Sequence, residues 1–132
     1  MSPFNDHRSI GLSDIERNLH RLIQNHAPGY CGQMLHEHLD TGGKRLRAQV
    51  TLQLATLFSV DPENALQWAS AVELLHNATL IHDDVQDGDT TRRNHPCTWV
   101  EHGIPQAINA GDLGLMLPFQ CIEAMDIEDA LR

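Results

Sequence analysis

Strand-forming residues are scarce in this sequence. Aromatic residues make up 5% of the 132 positions, with one tyrosine, two tryptophans and three phenylalanines. Runs of Val, Ile, Tyr and Phe are short, whereas Leu, Ala, Gln and Glu are frequent. This argues against a β-sandwich or barrel and predicts an all-helical soluble domain. Cysteine is sparse too: Cys31, Cys97 and Cys121 are odd in number, far apart and in no Cys-x-x-Cys pairing. A disulfide framework or zinc ribbon is not expected, and a reducing, cytoplasmic setting fits best. Positive charge is limited, with 9 Lys+Arg against 18 Asp+Glu and a formal charge of −9. Such a balance repels nucleic acid and anionic membranes at long range. Any phosphate ligand would need local arginines and lysines, or metal ions held by the acids. No apolar run is long enough to span a membrane, and the opening stretch MSPFNDHRSIGLSD lacks the apolar core of a secretory leader.

The chain is long enough for one domain with a real core. Residues 1–12 form the expected flexible lead-in, rich in Pro, Gly, Ser and Asn. Ser13 and Glu16 have capping-box spacing and predict a helix over about residues 14–26, with Ile15, Leu19, Leu22 and Ile23 inward. Pro28-Gly29 breaks it, and a shorter helix over residues 31–39 offers Cys31, Met34, Leu35 and Leu39 as its apolar side. After the turn at Asp40-Thr-Gly-Gly43, a helix is expected from Lys44 to about Phe58, which places Lys44 and Arg47 on one face of its first turn. Cations there oppose the helix dipole unless an anion is bound, and glycine-preceded helix starts are natural anion sites.

Asp61-Pro62 is an N-cap followed by proline at the first helical position. The helix it starts is expected to reach Asp87, with Gly88 ending it. Its middle is apolar nearly all round, as in a helix buried by neighbours. Yet Glu73, His76, Asn77, Asp83, Asp84 and Asp87 follow three-and-four spacing along it. A polar stripe on a buried helix should face a cavity, because unpartnered buried charge is costly. Residues 89–96 are expected to be a loop, followed by a short helix near Trp99. Another helix near residues 106–109 leads into Gly111-Asp112, and a last helix is expected to run to about Glu128.

Asp83, Asp84 and Asp87 crowd three carboxylates into about one turn at a helix C-terminus, where negative charge is disfavoured. A hard divalent cation removes that conflict. Mg²⁺ takes oxygen ligands and is commonly completed by substrate phosphates. Arg92 and Arg93, just beyond, suit phosphate oxygens. Two anion sites are therefore expected. One is a Mg²⁺–diphosphate site at the three acids with one of the two arginines. The other joins Lys44, Arg47, His76 and the remaining arginine, with His76 about 10 Å along the helix from Asp83.

Taken together, Gly42-Gly-Lys-Arg-Leu-Arg47, Glu73-Leu-Leu-His76, His82-Asp-Asp-Val-Gln-Asp87 with Arg92-Arg93, and Ala110-Gly-Asp112 resemble the N-terminal half of a trans-isoprenyl diphosphate synthase of the polyprenyl synthetase family. The resemblance implies an antiparallel helical bundle of the isoprenoid synthase type, residues 13–132 forming its N-terminal part with the C-terminal half absent. It implies Mg²⁺ on Asp83 and Asp87 with Asp84 in support. It also implies an allylic diphosphate on Arg92, and isopentenyl diphosphate on Lys44, Arg47, His76 and Arg93. The reaction implied is ionisation of the allylic diphosphate, attack by the isopentenyl double bond, and proton loss. Ala48 stands where the family often has proline. Ala78 and Thr79, small residues where short-chain members tend to carry aromatics, imply a product of C20 or longer, with Leu75 and Val72 as a deeper floor.

No second aspartate-rich motif is present; Asp126-Ile-Glu-Asp129 reads as a solvated helix end. The expected partner is therefore a second copy or a complementary C-terminal half. A class I terpene cyclase would share the acids without needing Lys44, Arg47 and His76. A His-Asp phosphohydrolase would need more converging histidines than His76 and His82, because His36, His38, His95 and His102 are expected at the surface. A non-catalytic subunit of a synthase is the remaining alternative.

Overall fold

The structure is a computed structural model describing residues 9–125. Seven helices and one small hairpin follow in the order α1 (Leu12–His26), α2 (Tyr30–Asp40), α3 (Leu46–Leu57), α4 (Pro62–Asp87), β1 (Thr91–Arg92), β2 (His95–Pro96), α5 (Thr98–His102), α6 (Ile104–Met116) and α7 (Pro118–Glu123). α4 touches each of the other six helices and is the axis of the bundle. Its start and end are set locally. The Asp61 carboxylate accepts from the backbone N–H groups of Glu63 and Asn64, Pro62 occupies the first turn, and Gly88 closes the C-terminus at φ 69°.

Ile15, Leu19 and Ile23 of α1, Leu35 and Leu39 of α2, and Leu66, Ala69, Leu74 and Ile81 of α4 form one continuous core. α4 and α6 approach closely because small residues line the seam. A Cβ on Gly114 would lie 2.8 Å from the Cβ of Ala78. α1 and α4 are also joined by a buried polar contact, in which Asn18 Nδ2 donates to Ser70 Oγ at 2.7 Å.

Several expectations change. α1 is capped by Gly11 and Asp14, whose carboxylate accepts from the Gly11 N–H at 2.9 Å, and not by Ser13 and Glu16. Glu16 is engaged elsewhere, with Arg45. Leu12 is already helical and Ile10 packs on the core; residues 1–8 of the expected lead-in lie outside the described part. α3 begins at Leu46, so Lys44 precedes the helix and shares no turn with Arg47. Residues 91–96 are a hairpin instead of a loop, with Arg93 and Asn94 both at positive φ (51° and 64°) as a two-residue primed turn requires. α6 runs unbroken through Gly111-Asp112, and the chain breaks instead at Leu117, before Pro118. The expected helix end at Glu128 and the acidic run 126–129 lie outside the described residues.

Candidate functional site

The polar stripe of α4 divides into two adjacent faces. Glu73, Asn77 and Asp84 are buried, at 3%, 1% and 2% exposure, whereas His76 is half-buried and Asp83 and Asp87 are exposed. At 3.6 residues per turn the rows 73/77/84 and 76/83/87 lie about 80° apart, which is enough to separate a core-facing row from a surface-facing one.

The inner row is fully partnered. Glu73 Oε1 accepts from the N–H of Ala48 at 3.0 Å, so an acid of α4 satisfies one of the free N–H groups opening α3. Asn77 Nδ2 donates to the Glu73 carbonyl at 2.8 Å, and His38 Nε2 pairs with Asn77 Oδ1 at 3.0 Å. His38, expected at the surface, is thus buried; His36 and His102 are half-buried, and His95 is exposed. Burial first, and then the nearby charge of Arg93, push the His38 imidazole down to about 4, with the Asn77 hydrogen bond partly opposing. Asp84 is held by a fork from Arg92, with Nε–Oδ2 at 2.9 Å and Nη2–Oδ1 at 2.7 Å. The hydrogen bond to Asp84 is the largest cause raising Arg92 above the usual arginine value.

The outer row is different. Among the described residues, neither the Asp83 nor the Asp87 carboxylate has a hydrogen bond or ion pair, and the three aspartates do not converge on one point. One exposed carboxylate pair, spaced i, i+4 at the end of a rigid helix and carrying no protein cation, fits a hard divalent cation that retains water ligands.

Basic side chains gather beside this row. Arg93 Nη1 donates to the Gly42 carbonyl and, at 3.2 Å, to Thr41 Oγ1. Gly43 makes this possible: at φ 119° a Cβ there would sit 2.9 Å from the guanidinium. Desolvation, followed by the repulsion of Arg45 and Arg92, lowers the Arg93 pKa. His76 is lowered as well, by desolvation first and then by the charge of Arg47, with Glu73 opposing. His76, Arg47 and Arg93 therefore share one electrostatic neighbourhood. Lys44 is exposed in the loop ahead of α3, and the described contacts do not bring its ammonium into the cluster. Beside Arg47 an open groove of about 530 Å³ is lined by Leu46, Val50, Thr51 and Val72.

Ala78 is fully buried against α6, whereas Thr79 is half-buried with its hydroxyl donating to the His76 carbonyl at 2.6 Å. His82 is structural: Nε2 lies 3.0 Å from the Ile108 carbonyl and 3.4 Å from Asp112, in a space left by Gly111.

Arg45 was not singled out by its sequence position, yet it fixes the basic loop. It is 4% exposed at φ 52° and donates to Glu16 and to the carbonyls of Leu39 and Gly42. The sequence signal was weak, a third basic residue between Lys44 and Arg47 in a stretch expected to be helical.

Fold and site define an all-helical protein whose central helix ends in unpartnered carboxylates beside clamped arginines. Comparison with known proteins agrees. The family model for polyprenyl synthetase matches residues 28–132. Geranylgeranyl diphosphate synthase of Saccharolobus solfataricus is 42% identical over 111 residues, covering 81% of this chain and 33% of that protein. Geranylgeranyl pyrophosphate synthetase of the archaeon Geoglobus acetivorans superposes with a TM-score of 0.78 at 34% identity, over 85% of this chain and 37% of that one. A polyprenyl synthase from Caulobacter crescentus CB15, solved with calcium and isoprenyl diphosphate, superposes with a TM-score of 0.72 at 30% identity, over 94% of this chain and 42% of that one. The chain belongs to the polyprenyl synthetase family, the family of trans-prenyltransferases. Its fold is the N-terminal portion of the isoprenoid synthase helical bundle, and it spans about a third of the length of the curated relatives it matches. No helix among the described residues is long and apolar enough to cross a membrane.

Proposed function

We propose that this chain forms one wall of a Mg²⁺-dependent prenyltransferase site, which joins isopentenyl diphosphate to an allylic diphosphate. The observation carrying this reading is the contrast within α4. Asp84 is neutralised by Arg92, whereas Asp83 and Asp87 are left without a protein partner in line with His76. An unbalanced acid pair beside a basic cluster suits a ligand that brings both cations and phosphates.

Asp83 and Asp87 hold Mg²⁺, which stabilises the negative charge developing on the departing diphosphate. Arg92 contacts the allylic diphosphate while keeping Asp84 in place. Arg47, His76 and Arg93 take the isopentenyl diphosphate, with Lys44 swinging in from its loop. The groove between Leu46, Val50 and Val72 gives an apolar surface next to a charged rim, as an amphiphilic prenyl chain requires. Thr79 bears on chain length, and its small side chain favours a product of C20 or longer. Ala78 acts there only indirectly, through its contact with α6.

The opposite wall is supplied by further protein, either a second copy or a complementary C-terminal half. The exposed Leu46 (61%) and Val50 (46%) beside Arg47 support a covered surface here.

The test is to incubate the chain with Mg²⁺, isopentenyl diphosphate and allylic diphosphates of increasing length, alone and with a candidate C-terminal half, and to weigh the products. A prenyl diphosphate of C20 or more supports the full proposal, and a C10 or C15 main product rejects the length assignment. Mg²⁺-dependent diphosphate binding that is unchanged in Asp83→Ala removes Asp83 from the metal site.

A further inference from the structure

Where α5 meets α2, at the rim of a cleft whose far lining includes Asp84 and Arg92, three side chains meet that the prenyl-transfer reading does not use. We propose that Glu37, Glu101 and His102 form a site for a divalent transition-metal ion, zinc above all, that ties α5 to α2.

The geometry brings together residues from two helices distant in sequence. His102 Nε2 lies 2.7 Å from Glu37 Oε2 and 3.8 Å from Glu101 Oε2. One ligand atom from each of the three lies within 4.8 Å of the others, and among the described residues no other His, Cys, Asp and Glu side chains group in this way. The imidazole is also held from outside. Its Nδ1 is 2.5 Å from the hydroxyl of Tyr30, whose ring meets it edge-on at 78°. A histidine gripped through one ring nitrogen while the other faces carboxylates has the arrangement that orients metal-bound imidazoles.

The contacts without a cation are incomplete. Two carboxylates share one N–H, which Glu37 takes. Among the described residues, the Glu101 carboxylate is left with the 3.8 Å approach, too long for a hydrogen bond. A bound cation would offset the repulsion between the two anions and give Glu101 a partner. One imidazole with two carboxylates is a mixed nitrogen–oxygen set, which suits zinc and its neighbours better than Mg²⁺, with its preference for all-oxygen octahedra. A cleft of about 270 Å³, lined by both glutamates, adjoins the group and leaves room for water to complete the coordination. The ion would anchor the segment that follows the arginine hairpin.

The proposal is independent of the prenyl-transfer reading and is tested on the 132-residue chain after dialysis against a chelator. Titration calorimetry with zinc chloride should give one saturable site per chain and a raised melting temperature. Equimolar Mg²⁺ should not compete. Glu101→Gln and His102→Asn should each abolish the site with an unchanged helical circular dichroism spectrum. Tyr30→Phe should weaken it about 10- to 100-fold. The double variant Asp83→Asn with Asp87→Asn should bind zinc as before. Absence of a one-to-one site, zinc binding indifferent to Glu101→Gln, loss of binding in the double aspartate variant, or equal binding of Mg²⁺ would each overturn the proposal.

Discussion

Arg92 and Asp84 close a two-pronged ion pair, 2.9 and 2.7 Å long, with the carboxylate 2% exposed. One of the three clustered aspartates is thereby a structural anchor, and its neighbour one residue earlier is free. Asp84→Ala leaves the half-buried Arg92 without its carboxylate and should cost about 1–3 kcal/mol of stability. Asp83→Asn, on the exposed face, should change stability by less than about 0.5 kcal/mol while weakening Mg²⁺-dependent diphosphate binding. Urea denaturation of both variants measures the first effect, and titration with inorganic diphosphate the second. Equal stability losses in the two would contradict the division between the rows.

Glu73 links α4 to the basic loop through the Ala48 N–H. Glu73→Ala leaves that N–H and Asn77 short of a partner, at a cost of about 1–3 kcal/mol. Glu73→Gln keeps an acceptor in the same place and should recover most of the loss. If Gln proves as harmful as Ala, the negative charge matters more than the hydrogen bond.

His38 makes stability depend on pH. Its folded value of about 4 lies below the ordinary 6.5, so the unfolded chain takes up a proton where the folded chain does not. The contribution of neutral His38 is complete above about pH 6.5. It declines as pH falls from 6.5 toward 4, and changes no further once both states are protonated. The full span is on the order of 3 kcal/mol. Denaturation midpoints of the parent and His38→Gln at pH 7 and pH 5 check this: the parent should lose more between the two pH values than the variant does.

Gly32 admits no side chain. A Cβ there would lie 1.7 Å from the backbone oxygen of Ala27 and 3.2 Å from Ile23 Cγ2. Gly32→Ala should therefore separate α1 from α2 and cost about 1–3 kcal/mol or more. Gly29→Ala, three residues earlier, meets nothing within 4 Å and should be tolerated. Thermal unfolding of the pair distinguishes crowding from a general effect of losing glycine.

Much of this architecture was legible in the residues. α4 begins and ends where Asp61-Pro62 and Gly88 say it should, because caps and αL glycines act within a few residues of the chain. The inward residues of α1 follow directly from their period. What escaped depends on distant partners. Ser13 and Glu16 have capping-box spacing, but Arg45, 29 residues on, takes Glu16, and Asp14 caps the helix from closer by. Arg45 in the left-handed region cannot be foreseen from residue type, since arginine gains nothing there without its tertiary contacts. Spacing alone predicts one polar face for the α4 stripe. Its division into buried and exposed rows follows from where α2, α3 and the hairpin pack. His38 seemed a surface histidine because its partner, Asn77, is 39 residues away. The site is less legible than the fold for the same reason: a residue type suggests a ligand, but only its neighbours show whether it is already engaged.

The two-residue turn at Arg93-Asn94 has a mechanical consequence. Arg92 is fastened to the end of α4 and Arg93 to the Thr41 hydroxyl and the Gly42 carbonyl between α2 and α3. Because the turn is only two residues long, neither guanidinium can shift far without dragging the other. The hairpin behaves as a yoke across two separately anchored parts of the bundle, so slack introduced at one end is felt at the other. Amide exchange would register this as shared protection: releasing Arg92 from its carboxylate should loosen the loop ahead of α3, although among the described residues no member of that loop hydrogen-bonds to Asp84.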